Sequence, residues 1–163
     1  MAAKTKVLFI CLGNICRSPL AETLFNHHIR LVGKSADFIV DSCGTGGWHA
    51  GEKADPRTRR TAEKYDIEIT HRARQLSDED AENFDYLLVM DKNNLNDVNA
   101  RFENIGNKVS LITDLTPSFK GRIIPDPYFG DDTGFDQVHK LLDKVTKELA
   151  DTLIHQHSEQ SES

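Results

Sequence analysis

A short apolar strand that runs directly into a cysteine-containing loop is the feature that most constrains the fold of this chain. Val7–Ile10 is an apolar run, Cys11–Ser18 reads CLGNICRS, and a helix-like stretch starts near Pro19. A strand, a tight loop and a helix N-terminus in this order can wrap backbone N–H groups around a tetrahedral oxyanion, and the helix dipole adds partial positive charge. We therefore predict an anion-binding loop directly after the first strand.

The residue types in the Cys11–Ser18 loop fit a nucleophile held inside such a site. Arg17 can bind two oxygens of an anion with its planar guanidinium. The same positive field would stabilise a thiolate at Cys11, which becomes a nucleophile aimed at the bound anion. Gly13 and Asn14 readily adopt the left-handed backbone angles that an inward-folded loop requires. The loop indicates phosphoryl transfer to the cysteine, and the alternative is a buried strand-end cysteine beside a solvated arginine.

The composition of the chain excludes several classes of function. With 163 residues, 38% of them hydrophobic and 28% charged, the chain is long enough for one domain with a substantial core. A net charge of −6 argues against binding to nucleic acid or to an anionic membrane, and no membrane insertion is expected. The three cysteines, an odd number, do not suggest a disulfide framework, so we expect a reducing, cytoplasmic location. Neither their spacing nor the scattered histidines predict a metal site, and no cofactor is expected.

Apolar runs and helical stripes alternate along the chain. The predicted strands lie at residues 6–10, 37–43, 84–90 and 108–112. The predicted helices lie at residues 19–32, 56–65, 95–102 and 133–155. This alternation predicts an α/β fold, a single-domain three-layer sandwich with a four-stranded parallel sheet and the phosphate-binding loop after the first strand. Residues 1–155 would form the domain, and residues 156–163 a flexible polar tail.

The carboxyl edge of the predicted sheet brings several strand ends together. Ligands of such sheets bind beyond the carboxyl ends of the strands, where Cys11, Ser42 and Asp91 fall. We expect Asp91 to cap the helix that follows it. His49, in the glycine-rich loop after the second strand, is expected to have no functional role.

A second motif, IPDPYFG, occupies Ile124–Gly130. Thiolate attack on a phosphate ester needs a group that protonates the departing oxygen. Asp126 stands between two prolines that stiffen the backbone, so its carboxyl can be held at a fixed distance from the anion. It would act first as an acid and then as the base for the water that hydrolyses the phosphocysteine. The alternative is an ordinary turn aspartate, since Asp-Pro is common in turns.

The two motifs together resemble those of the low-molecular-weight protein tyrosine phosphatases. Residues 7–19 closely resemble the N-terminal signature of that family, and Asp126–Gly130 is similar to its acid loop. Residues 41–42, 71–75 and 84–91 also match the family's pattern. The resemblance therefore covers nearly the whole chain, up to about residue 150.

The resemblance implies an activity and a role for each matching residue. The chain would hydrolyse phosphotyrosine and small aryl phosphates through a phosphocysteine intermediate. Cys11 would be the nucleophile, Arg17 the phosphate clamp, and Asp126 the general acid and base.

The resemblance also implies which residues shape the site and bind the substrate. Asn14 would hold the loop in its strained shape, with Ser42 and His71 as its hydrogen-bonding support, and Ser18 would steady the thiolate. The residues implied to bind the phosphate and the aromatic ring are Leu12, Gly13, Asn14, Ile15, Cys16, Ser18, Trp48, Tyr128 and Phe129.

The implied partners are phosphotyrosine-containing proteins. Whether a cognate tyrosine kinase phosphorylates Tyr128 is a question that the sequence leaves open. Phe129 departs from members of the family that carry paired tyrosines in the acid loop. The basic cluster Arg57–Arg60 is interpreted as a solvated helix face, with attraction of acidic substrates as the alternative.

Three other functions compete with this interpretation. A thiol-dependent arsenate reductase shares the fold and the anion loop, but its chemistry needs further cysteines downstream, and none follows Cys43. A catalytically silent phosphotyrosine-binding module would keep Arg17 and lose Cys11 or Asp126, whereas all three are present. A nucleotide-binding α/β protein would need a glycine-rich fingerprint or a Gly-Lys-Ser/Thr ending, which the loop lacks.

The second cysteine of the loop suggests sensitivity to oxidation. Cys16 lies five residues after Cys11, and a loop that curls around a phosphate brings such positions close together. We hypothesise that peroxide converts Cys11 to a sulfenic acid, which Cys16 captures as a disulfide. The alternative is that Cys16 merely packs beneath the loop.

Overall fold

A four-stranded, all-parallel sheet lies at the centre of the structure, a computed structural model that describes residues 3–103, 105–128 and 130–162. The strands are β1 (Thr5–Cys11), β2 (Phe38–Gly44), β3 (Tyr86–Val89) and β4 (Val109–Leu111). They run side by side in the order β2-β1-β3-β4. This confirms the predicted four-stranded parallel sheet.

Five α-helices connect or follow the strands within the described residues. They are α1 (Arg17–Leu31), α2 (Pro56–Glu63), α3 (Asp80–Asn83), α4 (Lys92–Arg101) and α5 (Asp132–Glu162). Short 3-10 turns occur at Ser35–Asp37, Gly106–Lys108, Ile112–Leu115 and Pro117–Phe119. None of the helices in the described part of the chain has the length and apolar character that a membrane span needs.

Alternating side chains of the strands separate the core into two parts. One part contains Phe9 of β1 and Phe25 of α1, whose ring centroids are 5.7 Å apart, together with Leu142 and Val145 of α5. The other part contains Leu8 and Ile10 of β1 and Val98 of α4, among others. Since successive strand residues point to opposite faces, α1 and α5 cover one face and α4 the other. The three-layer arrangement predicted from the sequence is confirmed.

The C-terminal helix is longer than the sequence predicted. The sequence ended this helix near residue 155, whereas α5 continues to Glu162, so residues 156–162 of the predicted flexible tail are helical. His157 is buried, its Nδ1 lies 2.8 Å from the Thr5 hydroxyl, and its ring lies 5.8 Å from that of Phe38. Gln156 accepts a hydrogen bond from Tyr86 at 2.7 Å. The prediction of a flexible tail rested on the polar composition of these residues, which does not show such long-range contacts. These contacts hold the end of α5 against the sheet.

The order of the strands places the Cys11–Ser18 loop at the carboxyl edge of the two central strands. Cys11 pairs with Gly44 on one side, and Ile10 pairs with Val89 on the other. A Cβ atom at Gly44 would lie 2.7 Å from the carbonyl oxygen of Leu12 and 3.0 Å from the amide of Asn14. The loop therefore packs so closely on β2 that only glycine fits at this position.

Candidate active site

A cavity of about 170 Å³ opens at the carboxyl edge of the sheet. Its lining contains nine of the residues that the sequence singled out, together with His49. The lining residues are Cys11, Leu12, Gly13, Ile15, Cys16, Arg17, Trp48, His49, Asp126 and Tyr128. Asn14, Ser18, Ser42 and His71 do not line this cavity but connect behind the loop, and Phe129 lies outside the described residues.

Asn14 determines the shape of the Cys11–Ser18 loop. Its backbone has φ of 58°, in the left-handed region, whereas Gly13 does not adopt a positive φ as the sequence had suggested. The side-chain Nδ2 of Asn14 donates to Ser18 Oγ at 2.7 Å and to Ser42 Oγ at 3.1 Å. The side-chain Oδ1 of Asn14 accepts from His71 Nε2 at 2.8 Å and from the backbone amide of Arg74 at 3.0 Å. Four hydrogen bonds from three segments thus hold one unfavourable backbone conformation in place.

Ser18 joins this network to the Cys11 thiol. Its Oγ lies 2.9 Å from Cys11 Sγ and 3.3 Å from the carbonyl oxygen of Cys43. Because Ser18 Oγ accepts the Asn14 amide, its own proton is available to one of these two acceptors. A hydroxyl that donates to the sulfur stabilises the thiolate form of Cys11. Ser18 does not cap α1, because that helix has no side-chain cap.

The guanidinium of Arg17 is buried and held in a fixed orientation. Its Nη1 donates to Asp91 Oδ2 at 2.6 Å and to the carbonyl oxygen of Ile124 at 2.9 Å. Its Nη2 lies 3.5 Å from Asp126 Oδ2. The side chain is only 2% exposed, so its placement is set by the protein and not by solvent. The contacts of Nη1 therefore fix the guanidinium so that Nη2 faces the Asp126 carboxyl at the cavity.

Asp91 has two contacts, of which the sequence predicted one. Its Oδ1 accepts from the amide of Asn94 at 2.8 Å and caps α4, as expected. Its Oδ2 holds Arg17, and this contact was missed. The position of Asp91 two residues after the end of β3 was a signal, since the carboxyl ends of β1 and β3 are adjacent when the two strands pair.

Asp126 lies on the loop of residues 124–128, which we call the Asp126 loop. Its side chain is 35% exposed, and Oδ1 accepts from the backbone amide of Tyr128 at 3.0 Å. The preceding end of the loop is fixed to the sheet, because the Ile124 amide donates to the Met90 carbonyl oxygen at 2.9 Å. The carboxyl therefore faces the cavity from a short, anchored segment.

The rim of the cavity is apolar and aromatic. Trp48 is 74% exposed, and the side chains of Leu12 and Tyr128 are also accessible. The Trp48 ring packs over Gly46, where a Cβ would lie 1.9 Å from the ring. Such exposed rings around a concave site favour a flat, apolar ligand group.

His49 is a residue of the site that the sequence analysis did not recognise. It lines the cavity, its ring lies 6.4 Å from that of Tyr128, and its Nδ1 is paired with Glu52. Its ring also approaches Gly13, where a Cβ would lie 3.2 Å from Cδ2. Its position next to Trp48 in the sequence was the available signal.

Behind the loop, a buried carboxyl and an imidazole extend the network of Asn14. Glu22 Oε1 accepts from Ser42 Oγ at 2.6 Å and lies 3.2 Å from His71 Nδ1. Burial raises the pKa of Glu22 to about 7, and burial lowers the pKa of His71. The side-chain Oδ1 of Asn14 can only accept a hydrogen bond, so His71 Nε2 carries the proton of the neutral ring. His71 Nδ1 is then an acceptor. A protonated Glu22 is the donor that fits this arrangement.

One group of side chains within the described residues has the chemistry of metal ligands. The ligand atoms of Glu22, Asp41 and His71 lie within 4.8 Å of one another. All three already have protein partners: Asp41 accepts from Arg74 Nε at 3.0 Å, and the other two belong to the Asn14 network. This group therefore supports the loop from behind.

The other two cysteines differ from Cys11 in their surroundings. Burial raises the pKa of Cys16 to about 12 and raises the pKa of Cys43 well above its usual range. Both are free, buried thiols. A thiol that stays protonated is a poor nucleophile.

Comparisons with known proteins agree with this fold and site. The family model of the low molecular weight phosphotyrosine protein phosphatases matches residues 6–159. A low molecular weight phosphotyrosine protein phosphatase of Schizosaccharomyces pombe is 44% identical over 137 residues, which cover 83% of this chain and 88% of that protein. The human protein of the same description is 39% identical over 141 residues, with 85% and 89% covered. The chain belongs to this family and is a low molecular weight protein-tyrosine phosphatase.

Solved structures support the same conclusion about the fold. A protein tyrosine phosphatase from Entamoeba histolytica superposes with a TM-score of 0.88 at 33% identity, covering 93% of this chain and 98% of that one. The arginine phosphatase YwlE of Bacillus subtilis superposes with a TM-score of 0.85 at 25% identity, covering 91% and 95%. The fold therefore carries more than one phosphatase specificity.

The buried Glu22 predicts an unusual dependence of stability on pH. A pKa raised from 4.5 to about 7 means that the folded state holds a proton that the unfolded state has released. The stabilisation is present below pH 4.5 and is lost as the pH rises through about 7. Between pH 5 and pH 8, we expect the wild type to lose about 2–3 kcal/mol of unfolding free energy relative to Glu22→Gln, measured by urea denaturation.

Glu22→Gln isolates this effect because glutamine imitates the protonated acid. It stays neutral throughout this pH range, and its side-chain oxygen can still accept from Ser42. The lowered pKa of His71 acts in the opposite direction, with stability lost as the pH falls below 6.5. The exposed Glu63→Gln serves as the control. Parallel changes of stability with pH in wild type and Glu22→Gln would contradict the raised pKa.

Proposed function

We propose that this phosphatase hydrolyses phosphotyrosine in two steps at the cavity of the Cys11–Ser18 loop. The observation that carries the proposal is the convergence of three groups on one cavity: the Cys11 thiol, the Arg17 guanidinium and the Asp126 carboxyl. They come from the end of β1, the start of α1 and a loop more than a hundred residues away. A nucleophile, an anion clamp and a proton donor are the groups that such a reaction needs.

In the first step, the Cys11 thiolate attacks the phosphorus of the bound ester. A sulfur–phosphorus bond forms while the bond from phosphorus to the tyrosyl oxygen breaks. Asp126, protonated, gives its proton to the departing oxygen, so that neutral tyrosine leaves. The guanidinium of Arg17 and the loop amides stabilise the charge on the transferring group. Asp126 Oδ2 lies 3.5 Å from Arg17 Nη2. When the substrate binds, phosphate oxygens would take the place of this carboxyl beside Arg17.

In the second step, water hydrolyses the phosphocysteine. Asp126, ionised by the first step, accepts a proton from the attacking water, and an oxygen–phosphorus bond forms. The sulfur–phosphorus bond breaks, which releases inorganic phosphate and the Cys11 thiolate. The hydrogen bond from Ser18, 2.9 Å from the sulfur, favours this thiolate as the leaving group.

The walls of the cavity favour an aryl ester over phosphoarginine. Leu12, Ile15, Trp48 and Tyr128 give the lining an apolar and aromatic surface against which a phenyl ring can bury area. A guanidinium is best bound by carboxylates. Among the described lining residues, Asp126 is the only carboxylate, and it already faces Arg17. We therefore propose phosphotyrosyl proteins and small aryl phosphates as the substrates.

The proposal is tested with Cys11→Ser on a substrate panel. We expect wild type to hydrolyse phosphotyrosine peptides and nitrophenyl phosphate, with phosphoarginine and arsenate as the alternative substrates. Cys11→Ser should lose turnover but still bind phosphate, because the Asn14 and Arg17 contacts remain. Cys43→Ser, at a buried thiol outside the cavity, is the matched control. Substantial activity in Cys11→Ser, or a preference for phosphoarginine, would overturn the assignment.

The role of Asp126 predicts a dependence on the leaving group. Asp126→Ala should lower kcat/KM for phenyl phosphate by roughly 10²–10⁴-fold, the range for a general acid. The loss should be smaller for nitrophenyl phosphate, because its leaving group is acidic and needs less protonation. The slope of log kcat/KM against leaving-group pKa measures this difference. An equal loss on all substrates would indicate a structural role instead.

We also propose that oxidation inactivates the enzyme reversibly. Peroxide would oxidise the Cys11 thiolate to a sulfenic acid, and the Cys16 thiol would condense with it to a disulfide and water. Both cysteines are free and line the same cavity, which supports the pairing. The raised pKa of Cys16, about 12, makes its thiolate scarce, so capture should be slow at neutral pH and faster as the pH rises. Free thiols also fit the reducing cytoplasm that we propose as the location.

Cys16→Ser tests the capture step. After peroxide and then dithiothreitol, wild type should recover more activity than Cys16→Ser, whose Cys11 is open to irreversible oxidation. The advantage of the wild type should grow between pH 6 and pH 8. Cys43→Ser again serves as the control. Equal recovery in wild type and Cys16→Ser would disprove the protective role.

A further inference from the structure

Asp55 connects α2 to the Cys11–Ser18 loop. Its backbone amide donates to the carbonyl oxygen of Ile15 at 2.8 Å. Its carboxylate caps α2 by accepting from the backbone amide of Arg57 at 2.8 Å. The side chain of Asp55 is only 7% exposed. Asp55 is therefore a rigid point next to the loop, fixed by both its backbone and its side chain.

The Arg57 side chain is held by this carboxylate at two points. Nε donates to Asp55 Oδ1 at 3.1 Å, and Nη2 donates to Asp55 Oδ2 at 3.0 Å. A guanidinium bound through both atoms of its fork has a fixed plane, which a single contact would not give. The charge of Arg57 is thus paired, and this residue is not part of the freely solvated basic face that the sequence suggested.

The guanidinium of Arg57 contacts two aromatic rings, that of Tyr128 at the end of the Asp126 loop and that of Phe135 in α5. Its Cζ lies 5.3 Å from the centroid of the Tyr128 ring and 4.5 Å from that of Phe135, within the range of cation–π contacts. Phe135, at the start of α5, is buried together with Ile15 and Cys16. Tyr128 is bonded through its amide to Asp126 Oδ1 at 3.0 Å. A continuous set of contacts therefore runs from Ile15 to the carboxyl of Asp126.

We propose that Arg57 is a positioning residue for the general acid: fixed by Asp55, it holds Tyr128 and thereby sets the place of the Asp126 carboxyl. This inference rests on the proposed role of Asp126. The Asp126 side chain is 35% exposed. Phosphate oxygens that bind the Arg17 guanidinium would compete with Asp126 for this contact. The contact through Tyr128 does not involve the phosphate, so it remains while the ester is bound. It would keep the acid within reach of the departing oxygen.

The test compares Arg57→Met with Arg60→Met across aryl phosphates of increasing leaving-group pKa. Arg60 is an exposed arginine of the same helix, so its variant removes the same charge without touching the Asp126 loop. For Arg57→Met, we expect kcat/KM to fall roughly 10–100-fold on phenyl phosphate and less than about threefold on nitrophenyl phosphate. The slope against leaving-group pKa should steepen, whereas Arg60→Met should keep the wild-type slope.

A double variant distinguishes positioning from an independent effect. If Arg57 acts through the acid, Arg57→Met should add almost nothing to Asp126→Ala on any substrate. Multiplying losses in the double variant would overturn the proposal, and so would an unchanged slope in Arg57→Met, whether its activity is uniformly reduced or intact. Inhibition by inorganic phosphate should stay within about twofold of wild type, since the Cys11–Ser18 loop keeps its own contacts.

Two further measurements keep the outcome decisive. If Arg57→Met does not fold, as judged by its urea denaturation, Arg57→Lys replaces it, because lysine keeps the charge but lacks the fork and the plane. Its slope should also steepen. The proposed function is judged separately, by whether wild type hydrolyses aryl phosphates and Cys11→Ser does not. That result stands whichever slope Arg57 variants show.

Discussion

The active site depends on one backbone conformation, the left-handed turn at Asn14. Such angles are unfavourable for residues other than glycine, although asparagine tolerates them better than most. The side-chain Nδ2 of Asn14 donates to the hydroxyls of Ser18 and Ser42. Its side-chain Oδ1 accepts from His71 and from the backbone amide of Arg74. These partners belong to α1, the end of β2 and a loop segment, so the conformation is stabilised only when all three have assembled. The loop that we propose to bind the anion is therefore preorganised by the fold, which is the condition for strong electrostatic stabilisation.

Two arginines near the cavity are fixed in the same way, each by a carboxylate behind it. Arg17 is held by Asp91 through Nη1 and has Nη2 near Asp126, and Arg57 is held by Asp55 with its guanidinium against two aromatic rings. A buried guanidinium without a partner would be strongly destabilising. Pairing with Asp91 offsets that penalty for Arg17, and the two-point contact of Arg57 with Asp55 fixes the plane of its guanidinium. In both cases a carboxylate sets the direction in which the guanidinium faces.

Local patterns in the sequence were sufficient for the elements and for the order in which they meet. The apolar run before Cys11 indicated a strand, and the glycine, asparagine and proline that follow indicated a loop and a helix start. Alternation of strands and helices implied a parallel sheet, which places Cys11, Ser42 and Asp91 at one edge. The core followed from these patterns, because periodicity and turn chemistry act over a few residues, whereas most of the residues around the cavity were implied only by the resemblance to the family.

What the sequence determined by itself was the set of reactive groups and the class of fold; the tertiary structure decided which distant side chains meet. The contact of Asp91 with Arg17 joins residues 74 positions apart, and that of His71 with Asn14, 57 positions apart, was implied only by the resemblance to the family. His157 also contacts a residue distant along the chain, and it holds the end of α5 where the polar composition predicted a flexible tail. His49 entered the cavity for a similar reason. Such contacts depend on the packing of whole elements, and no local pattern records a partner that is distant along the chain.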